Sequence, residues 1–201
     1  CDALYEQRHQ RQQANAGSAV VGFLGRVVSI KDVKTLLRAA RLVIDQLPHA
    51  RFLIAGPTTE EPEYFEECVD LTRQLHIEPN VEFMGLRNRN DVLPLMDVMV
   101  LTSISEGLPF VALESLASGV PMVSTDVGAC RELLDGRPDE HPNLGAAGLI
   151  TEIGNTDQIA RALVQVLSDQ ALQHQMSESG RARVQTYYHE RGVLDSYRKL
   201  Y

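Results

Sequence analysis

Short apolar runs alternate along this chain with segments of helical periodicity, and this alternation limits the folds open to it. Three of the runs, Val20–Leu24, Phe52–Ala55 and Val81–Met84, are each followed directly by a glycine, which is typical of buried strands. A fourth run, Val98–Leu101, follows a short helical segment. Apolar strands separated by helices indicate a parallel sheet covered on both faces. We therefore predict an α/β fold with a doubly wound, Rossmann-like parallel sheet.

The remaining predicted elements continue the same alternation. Apolar residues recur at helical spacing from Leu36 to Leu47, and Pro48 marks the end of that helix. Two further short strands are predicted at Met122–Ser124 and Gly148–Ile150. Other helices are predicted at about 64–75, 91–96, 109–119 and 130–134, and from about 156 onward.

The first 18 residues differ from the rest. Glu6–Gln13 is polar and lacks an apolar stripe, and a loop signal follows at Asn15–Ser18. We interpret residues 1–18 as a linker or the tail of a preceding domain, with a disordered terminus as the alternative. The chain does not begin with Met, and we expect it to be a piece of a longer protein. Residues 19–201 are predicted to form one domain with C-terminal helices.

Charge and cysteine content exclude several classes of partner. The net charge is −8, so long-range attraction to nucleic acid or to an anionic membrane is unfavourable. Cys1, Cys68 and Cys130 lack a metal-ligand spacing, which favours free thiols in a reducing compartment. There is no apolar run near the roughly 20 residues that a membrane span needs, so we predict a cytoplasmic protein with no direct membrane insertion.

Ligands of doubly wound sheets bind outside the carboxyl ends of the strands, and the loop after the first strand carries two cations there. Arg26 and Lys31 follow Gly25 within one loop and the start of a helix. A guanidinium and an ammonium beside backbone amides suit a diphosphate. The alternative is a pair of solvated surface cations. The loop lacks both the G-x-G-x-x-G fingerprint and a Walker A sequence, which argues against hydride transfer and P-loop ATP hydrolysis.

Two glutamates follow the fourth predicted strand. Glu106 lies in the loop, and Glu114 lies about one and a half turns into the next helix. Pro109 suits the start of that helix, so the amides of Gly107 and Leu108 lie near its positive end. Because the two carboxylates are far apart, we expect them to hold two parts of one long ligand. The alternative is that Glu114 is an ordinary glutamate on the helix surface, although its apolar neighbours predict a buried helix and a carboxylate that needs a partner.

Further segments along the chain join these two sites in one ordered set of motifs. The set is Gly25-Arg26 with Lys31, Phe83–Gly85, Leu101–Ser103, Glu106–Glu114, and Ser118–Ser124 with Gly128 and Glu132. In composition and order these segments resemble the C-terminal domain of the retaining GT-B glycosyltransferases of family 4. More narrowly, Gly25–Lys34 and Val127–Glu132 resemble the cytosolic enzymes of Pel-type exopolysaccharide synthesis.

The resemblance implies a role for each matching residue. Arg26 and Lys31, beside Gly25, would neutralise the donor diphosphate, and Glu106 would contact the donor sugar. The backbone of residues 107–109 would lie near sugar and phosphate, and Glu114 would bind the ribose hydroxyls. The loop formed by Gly85, Leu86 and Arg87 would frame the base.

The resemblance also implies that the donor is a nucleotide-sugar, with UDP expected from the narrower resemblance, and that no metal or other cofactor is required. The chain lacks a D-x-D-like pair beside the phosphate loops. Asp135, Asp139 and Glu140 are close in sequence, but their loop is rich in Pro and Gly, and we expect all three to be solvated.

The family's site lies between two domains, so the resemblance implies an N-terminal domain of the same protein as partner and little transferase activity for this chain alone. Tyr187-Tyr188 and Tyr197–Tyr201 are candidates for a surface that docks on that domain, or for packing on their own core. Two other functions remain open, a non-catalytic nucleotide-binding scaffold and a GT-B-fold sugar epimerase. The epimerase is disfavoured because four histidines lie away from the predicted strand-end loops, namely His76, His141, His174 and His189.

Overall fold

The computed structural model describes residues 2–14 and 19–188. Its core is a six-stranded sheet in the order β3-β2-β1-β4-β5-β6, and every neighbouring pair of strands is parallel. This confirms the predicted doubly wound α/β fold. The strands are β1 Val20–Leu24, β2 Arg51–Ala55, β3 Val81–Gly85, β4 Val98–Leu101, β5 Met122–Thr125 and β6 Gly148–Thr151.

Helices connect the strands and cover both faces of the sheet. Two short 3-10 turns, Ser29–Lys31 and Leu93–Leu95, precede α2 and β4 respectively. The helices are α1 Asp2–Ala14, α2 Val33–Gln46, α3 Pro62–Gln74, α4 Arg89–Val92, α5 Phe110–Ala117, α6 Cys130–Asp135, α7 Thr156–Ser168 and α8 Gln170–Tyr187.

The direction of winding reverses between β1 and β4. The chain first builds outward from β1 to β3 and then returns to place β4 on the other side of β1, where Val21 pairs with Val98. The loops after β1 and β4 therefore diverge from neighbouring strand ends. In open α/β sheets this reversal creates the crevice in which ligands bind.

Two hydrophobic cores lie against the sheet. One contains Leu37 and Val43 of α2 together with Leu163 of α7, and the other contains Leu116 of α5 and Leu133 of α6. Cys68 and Cys130 are free thiols buried in these cores, and burial raises the pKa of both. The thiols are therefore protonated near neutral pH, which makes them poor nucleophiles.

The amino-terminal segment is helical rather than disordered. Arg8 of α1 is buried, and its guanidinium donates hydrogen bonds to the backbone oxygens of Met96 at 3.0 Å and Asp97 at 3.2 Å. Arg11 forms a 2.5 Å ion pair with Asp97. Much of the contact between α1 and the rest of the domain is therefore made by arginine side chains, which explains why this segment has no apolar stripe. That these residues lead into a preceding domain stays a prediction.

The expectation that Glu140 is solvated was wrong. Its side chain is 3% exposed and pairs with Arg183 of α8, which is 0% exposed. Asp135 and Asp139 are exposed and pair with Arg131 and Arg137, as expected for solvated residues. The misplaced glutamate follows from a partner 43 residues away in sequence, which local composition does not reveal.

The two tyrosines at the end of α8 contact their own domain. The Tyr188 hydroxyl donates to the Glu132 carboxylate, and the Tyr187 oxygen accepts a 3.2 Å hydrogen bond from the His141 amide. This supports packing on the domain itself. Tyr197–Tyr201 lie outside the described residues. Within 2–14 and 19–188, there is no helix with the length and apolar character required to cross a membrane.

Candidate functional site

The loops after β1, β2 and β3 are joined by backbone hydrogen bonds at the carboxyl edge of the sheet. The Gly25 amide donates to the Ala55 oxygen at 3.0 Å, and the Gly56 amide donates to the Gly85 oxygen at 2.9 Å. A Cβ added at Gly56 would lie 1.9 Å from the Gly25 oxygen, so only glycine permits this approach. The glycines that end the predicted strands thus allow the three loops to pack against one another and form one continuous surface.

The loop after β4 is tied to the loop after β1. The Ile104 amide donates to the Ile30 oxygen at 2.9 Å, and the Thr102 hydroxyl donates to the Lys31 oxygen at 2.9 Å. Lys31 ends the 3-10 turn Ser29–Lys31. These bonds span the reversal point of the sheet and set the position of Lys31 relative to the following loop.

Lys31 and Glu106 meet at this point. The Lys31 Nζ lies 2.5 Å from the Glu106 Oε1, and the two side chains are 16% and 12% exposed. Ser103 also donates to the Glu106 Oε1, at 2.6 Å. Among the described residues, Oε2 of Glu106 accepts no hydrogen bond. The site therefore contains a partly buried ion pair with one carboxylate oxygen still available.

The loop after β5 packs against the backbone of the segment that carries Glu106. The Ala129 amide donates to the Gly107 oxygen at 2.9 Å. Gly128 has a φ of 52°, and a Cβ there would lie 2.1 Å from the backbone oxygen of Gly107 and 2.5 Å from the backbone oxygen of Glu106. Gly128, one of the residues that carry the family resemblance, therefore has to be glycine for this loop to contact the segment that carries Glu106.

Buried hydroxyl groups line the carboxyl ends of β4 and β5. Thr102, Ser103, Ser124 and Thr125 are all 0% exposed. The Thr125 hydroxyl donates to the Ser103 oxygen at 2.7 Å, and the Ser124 hydroxyl donates to the Thr125 oxygen at 2.9 Å. Because buried hydroxyls are costly without partners, these bonds hold the floor of the site in one arrangement.

Glu114 lies further along the edge and has a partner. It forms an ion pair with Arg89, the first residue of α4. The Glu114 side chain is 31% exposed, so it is more accessible than its apolar neighbours indicated. The buried face of α5 is formed instead by Ala112, Ser115 and Leu116. Glu114 therefore connects α5 to the segment that follows β3.

Arg26 lies apart from the Lys31–Glu106 pair. It is 51% exposed and forms a 2.6 Å ion pair with Glu60, which precedes α3. The neighbouring Glu61 accepts a 2.9 Å hydrogen bond from the Ser29 amide. Two carboxylates therefore occupy donors of the loop that was predicted to bind a diphosphate.

Apolar side chains border the same edge. Leu86, after β3, is 77% exposed, and Phe110, at the start of α5, is 73% exposed. Ile30, Ile104 and Leu108 are also exposed in the loops after β1 and β4. Exposed apolar groups around a few polar ones are typical of a small-molecule site.

The structure brings together some of the predicted site residues and separates others. Lys31 and Glu106 are in contact, and Gly107 is held by the loop after β5, whereas Arg26 and Glu114 pair with residues that were not predicted. Leu86 and Arg87 are exposed in the loop after Gly85, Leu108 is exposed, and Pro109 is buried as the residue preceding α5.

Sequence reasoning missed four residues that shape the site, Glu60, Arg89, Ser103 and Thr125. Ser103 was quoted as part of a motif but given no role. The available signal was position, because all four lie in strand-end loops or next to them.

The described residues contain no cluster of three or more His, Cys, Asp or Glu side chains suited to a metal ion. His76 follows α3, His141 follows α6 and His174 lies within α8, so these three are away from the carboxyl-end loops, as predicted. His189 lies outside the described part of the chain.

A family model and individual proteins of known sequence both match this chain. The model of the family described as glycosyl transferases group 1 matches residues 5–183. N-acetyl-alpha-D-glucosaminyl L-malate synthase from Bacillus anthracis is 30% identical over 173 residues, which cover 86% of this chain and 42% of that protein. The chain spans about half, or less, of the length of the curated relatives it matches.

Solved structures share the fold. The C-terminal domain of a glycosyl transferase group 1 family protein (LpcC) from Francisella tularensis matches with a TM-score of 0.75 at 24% identity, covering 91% of this chain and 93% of that one. Anabaena HepE, solved with UDP and glucose, matches with a TM-score of 0.78 at 21% identity over 97% of this chain and 54% of that one. Since the family model spans most of the sequence, this chain belongs to the group 1 glycosyltransferases and has the fold of a GT-B carboxyl-terminal domain.

Proposed function

We propose that this chain is the donor-binding part of a retaining glycosyltransferase that transfers a sugar from a nucleoside-diphosphate sugar to a glycan acceptor. The observation that carries the proposal is the Lys31–Glu106 pair, which lies at the reversal point between β1 and β4. A cation and a carboxylate with a spare oxygen are what the junction of diphosphate and sugar requires.

Lys31 is the proposed partner of the diphosphate, with Arg26 as the second cation. Charge-assisted hydrogen bonds contribute about 1.5–3 kcal/mol each, so two of them can hold a diphosphate against the chain's net charge of −8. Arg26 would exchange Glu60 for phosphate, a small cost because exposed ion pairs contribute at most about 1 kcal/mol. The amides of Gly107 and Leu108 lie beside this point and add donors near the start of α5.

The two glutamates would then bind the parts of the ligand on either side of the diphosphate. Glu106, with its free Oε2, contacts the donor sugar, and Glu114 accepts the ribose hydroxyls beside Arg89. The exposed Leu86 and Arg87 border the base. UDP is the proposed nucleotide, because the Anabaena neighbour was solved with it and because the Gly25–Lys34 segment resembles Pel-type enzymes.

Departure of the nucleoside diphosphate builds negative charge on the leaving phosphate, and preorganised cations lower that barrier. Lys31 and Arg26 would supply this stabilisation without a metal ion. We place the protein in family 4, in cytoplasmic exopolysaccharide synthesis, with acceptor contacts made by an N-terminal domain outside this chain. On this proposal the chain alone binds the donor and transfers little or no sugar.

Isothermal titration of the chain with UDP, GDP and ADP, and with the corresponding nucleotide-sugars, tests the proposal. We expect binding, strongest for UDP, and a loss of about tenfold or more in Lys31→Ala and in Glu114→Ala, since each removes a charged contact. Lys34→Ala is the matched control, because Lys34 is a nearby cation that pairs with Glu67 of α3 instead of Glu106. Absence of binding to every nucleotide would instead favour a non-catalytic scaffold.

In a full-length enzyme, Lys31→Ala should lower turnover by about 10²–10³-fold, by analogy with the loss of one oxyanion donor. The control is again Lys34→Ala, for which turnover should stay near the parent value. Parent-like turnover of Lys31→Ala would contradict the assignment of Lys31.

A further inference from the structure

Ser103 lies at the centre of the site, although none of the proposed roles belongs to it. Its side chain is 0% exposed, and its hydroxyl donates to the Glu106 Oε1 at 2.6 Å. We propose that Ser103 is a positioning residue that orients the Glu106 carboxylate so that its second oxygen meets the donor sugar. This inference rests on the proposed function, in which Glu106 contacts that sugar.

The two contacts to Glu106 differ in what they can fix. Lys31 Nζ and Ser103 Oγ both donate to Oε1. An ammonium on a long flexible stem attracts the carboxylate but imposes little direction on it. A serine hydroxyl has a single proton and a stem of one carbon, so its bond to Oε1 sets the rotation of the carboxylate and leaves Oε2 without a partner among the described residues.

Ser103 is itself held firmly. It is the second residue after the end of β4, and its backbone oxygen accepts a 2.7 Å hydrogen bond from the Thr125 hydroxyl. The preceding Thr102 is bonded to the Lys31 oxygen, and the following Ile104 is bonded to the Ile30 oxygen. The two residues on either side of Ser103 therefore connect its loop to the loop that carries Lys31, and Ser103 itself is bonded to Glu106 and Thr125.

This arrangement separates the effect of Ser103 from that of the phosphate contacts. Ser103 acts on the sugar end of the ligand through Glu106, whereas Lys31 acts on the phosphates. Removal of the hydroxyl should therefore reduce the gain in affinity that the sugar brings and leave the affinity for free UDP nearly unchanged. A serine that only stabilised the fold would change both affinities together or neither.

The test compares the affinity of the chain for UDP with its affinities for UDP-glucose, UDP-galactose and UDP-N-acetylglucosamine. For the sugar that the parent prefers, Ser103→Ala should lower the ratio of nucleotide-sugar to UDP affinity about fivefold or more, as expected for a hydrogen bond to a charged group. Its UDP affinity should stay within about twofold, since no phosphate contact is removed. Ser103→Thr, which keeps a hydroxyl, should restore most of the ratio.

Ser179→Ala is the matched control, because Ser179 is also a buried serine but donates to the Gln175 oxygen within α8. A parent-like ratio in Ser103→Ala, or a Ser103→Thr ratio as low as that of Ser103→Ala, would overturn the positioning role alone. A parent chain that binds no UDP would overturn the proposed function, and this inference with it. A parent chain that binds UDP but gains nothing from any sugar would overturn the role of Glu106 on which Ser103 depends.

Discussion

Glu140 and Glu106 lie at opposite sides of the domain, and each pairs with a cation. They differ in whether a carboxylate oxygen is left without a hydrogen-bond partner. Both oxygens of Glu140 are bonded to Arg183, at 2.7 and 2.9 Å, and one of them also accepts from the Leu144 amide at 2.9 Å. Glu106 uses one oxygen for Lys31 and Ser103. Its other oxygen has no partner among the described residues.

The cations differ in the same way. Arg183 also donates to the backbone oxygens of Leu133, Leu134 and Gly145, at 2.6 to 3.1 Å. It therefore ties the end of α6 and the following loop to α8. Lys31 Nζ has one hydrogen-bond partner within the described residues, although an ammonium can donate three. Burial of an ion pair is thus shared by a structural site and a candidate ligand site, and unused hydrogen-bonding capacity separates them.

The largest effect should come from breaking the satisfied pair. Arg183→Ala leaves Glu140 buried without its cation, which should lower the free energy of unfolding by about 3–5 kcal/mol. Urea denaturation of the purified chain measures this loss. Arg73→Ala is the control, because it breaks a pair with Asp70 in which both side chains are 63% exposed, and it should cost at most about 1 kcal/mol. A loss below about 1 kcal/mol for Arg183→Ala would remove the contrast between the two pairs.

A second prediction concerns acid. Hydrogen bonds from Arg183 are the main cause that lowers the pKa of Glu140 from its ordinary value of 4.5. A lowered pKa contributes stability that is complete above the ordinary pKa and is lost as the pH falls through the pKa of the folded state. Glu140→Gln should therefore cost about 1.5–3 kcal/mol at pH 7, the size of a charged hydrogen bond.

Urea denaturation of the parent and of Glu140→Gln between pH 7 and pH 3 measures this difference. The gap in unfolding free energy between the two proteins should narrow steadily below about pH 4.5. A gap that stays constant over the whole range would mean that ionisation of Glu140 does not contribute.

The smallest effect concerns the exposed pair at the site, Arg26–Glu60. Glu60→Gln removes a carboxylate that competes with phosphate for Arg26, so the affinity for UDP should rise, by at most about fivefold. Glu82→Gln is a matched control, since Glu82 is 51% exposed and pairs with Arg51 at the start of β2. A lower affinity for UDP in Glu60→Gln would show that Glu60 supports the site rather than occupying it.

Patterns that repeat along the chain predicted most of the fold. Apolar runs ending at glycine located β1, β2 and β3 to within one residue. For β1 and β2 this follows because a buried parallel strand has to be apolar on both faces, whereas β3 is an edge strand with Glu82 exposed. The same logic placed the loops with Lys31 and Glu106 at one edge, and the structure brings these two residues together.

What the sequence did not predict depends on partners that are distant in sequence. The packing of α1 depends on Arg8 reaching residues 96 and 97. Burial of Glu140 depends on Arg183, and the pairing of Glu114 depends on Arg89 in a different loop. Such contacts carry no periodicity, so composition and spacing alone do not reveal them.

The central claim is that a nucleotide-sugar binds at the carboxyl edge of β1 and β4. Amide resonances of the ¹⁵N-labelled chain, followed during titration with UDP, test its location directly. We predict the largest shifts in Gly25, Lys31, Glu106 and Gly107, with small shifts around Arg183. Shifts concentrated around Arg183 and α8, with the loops after β1 and β4 unaffected, would contradict the claim.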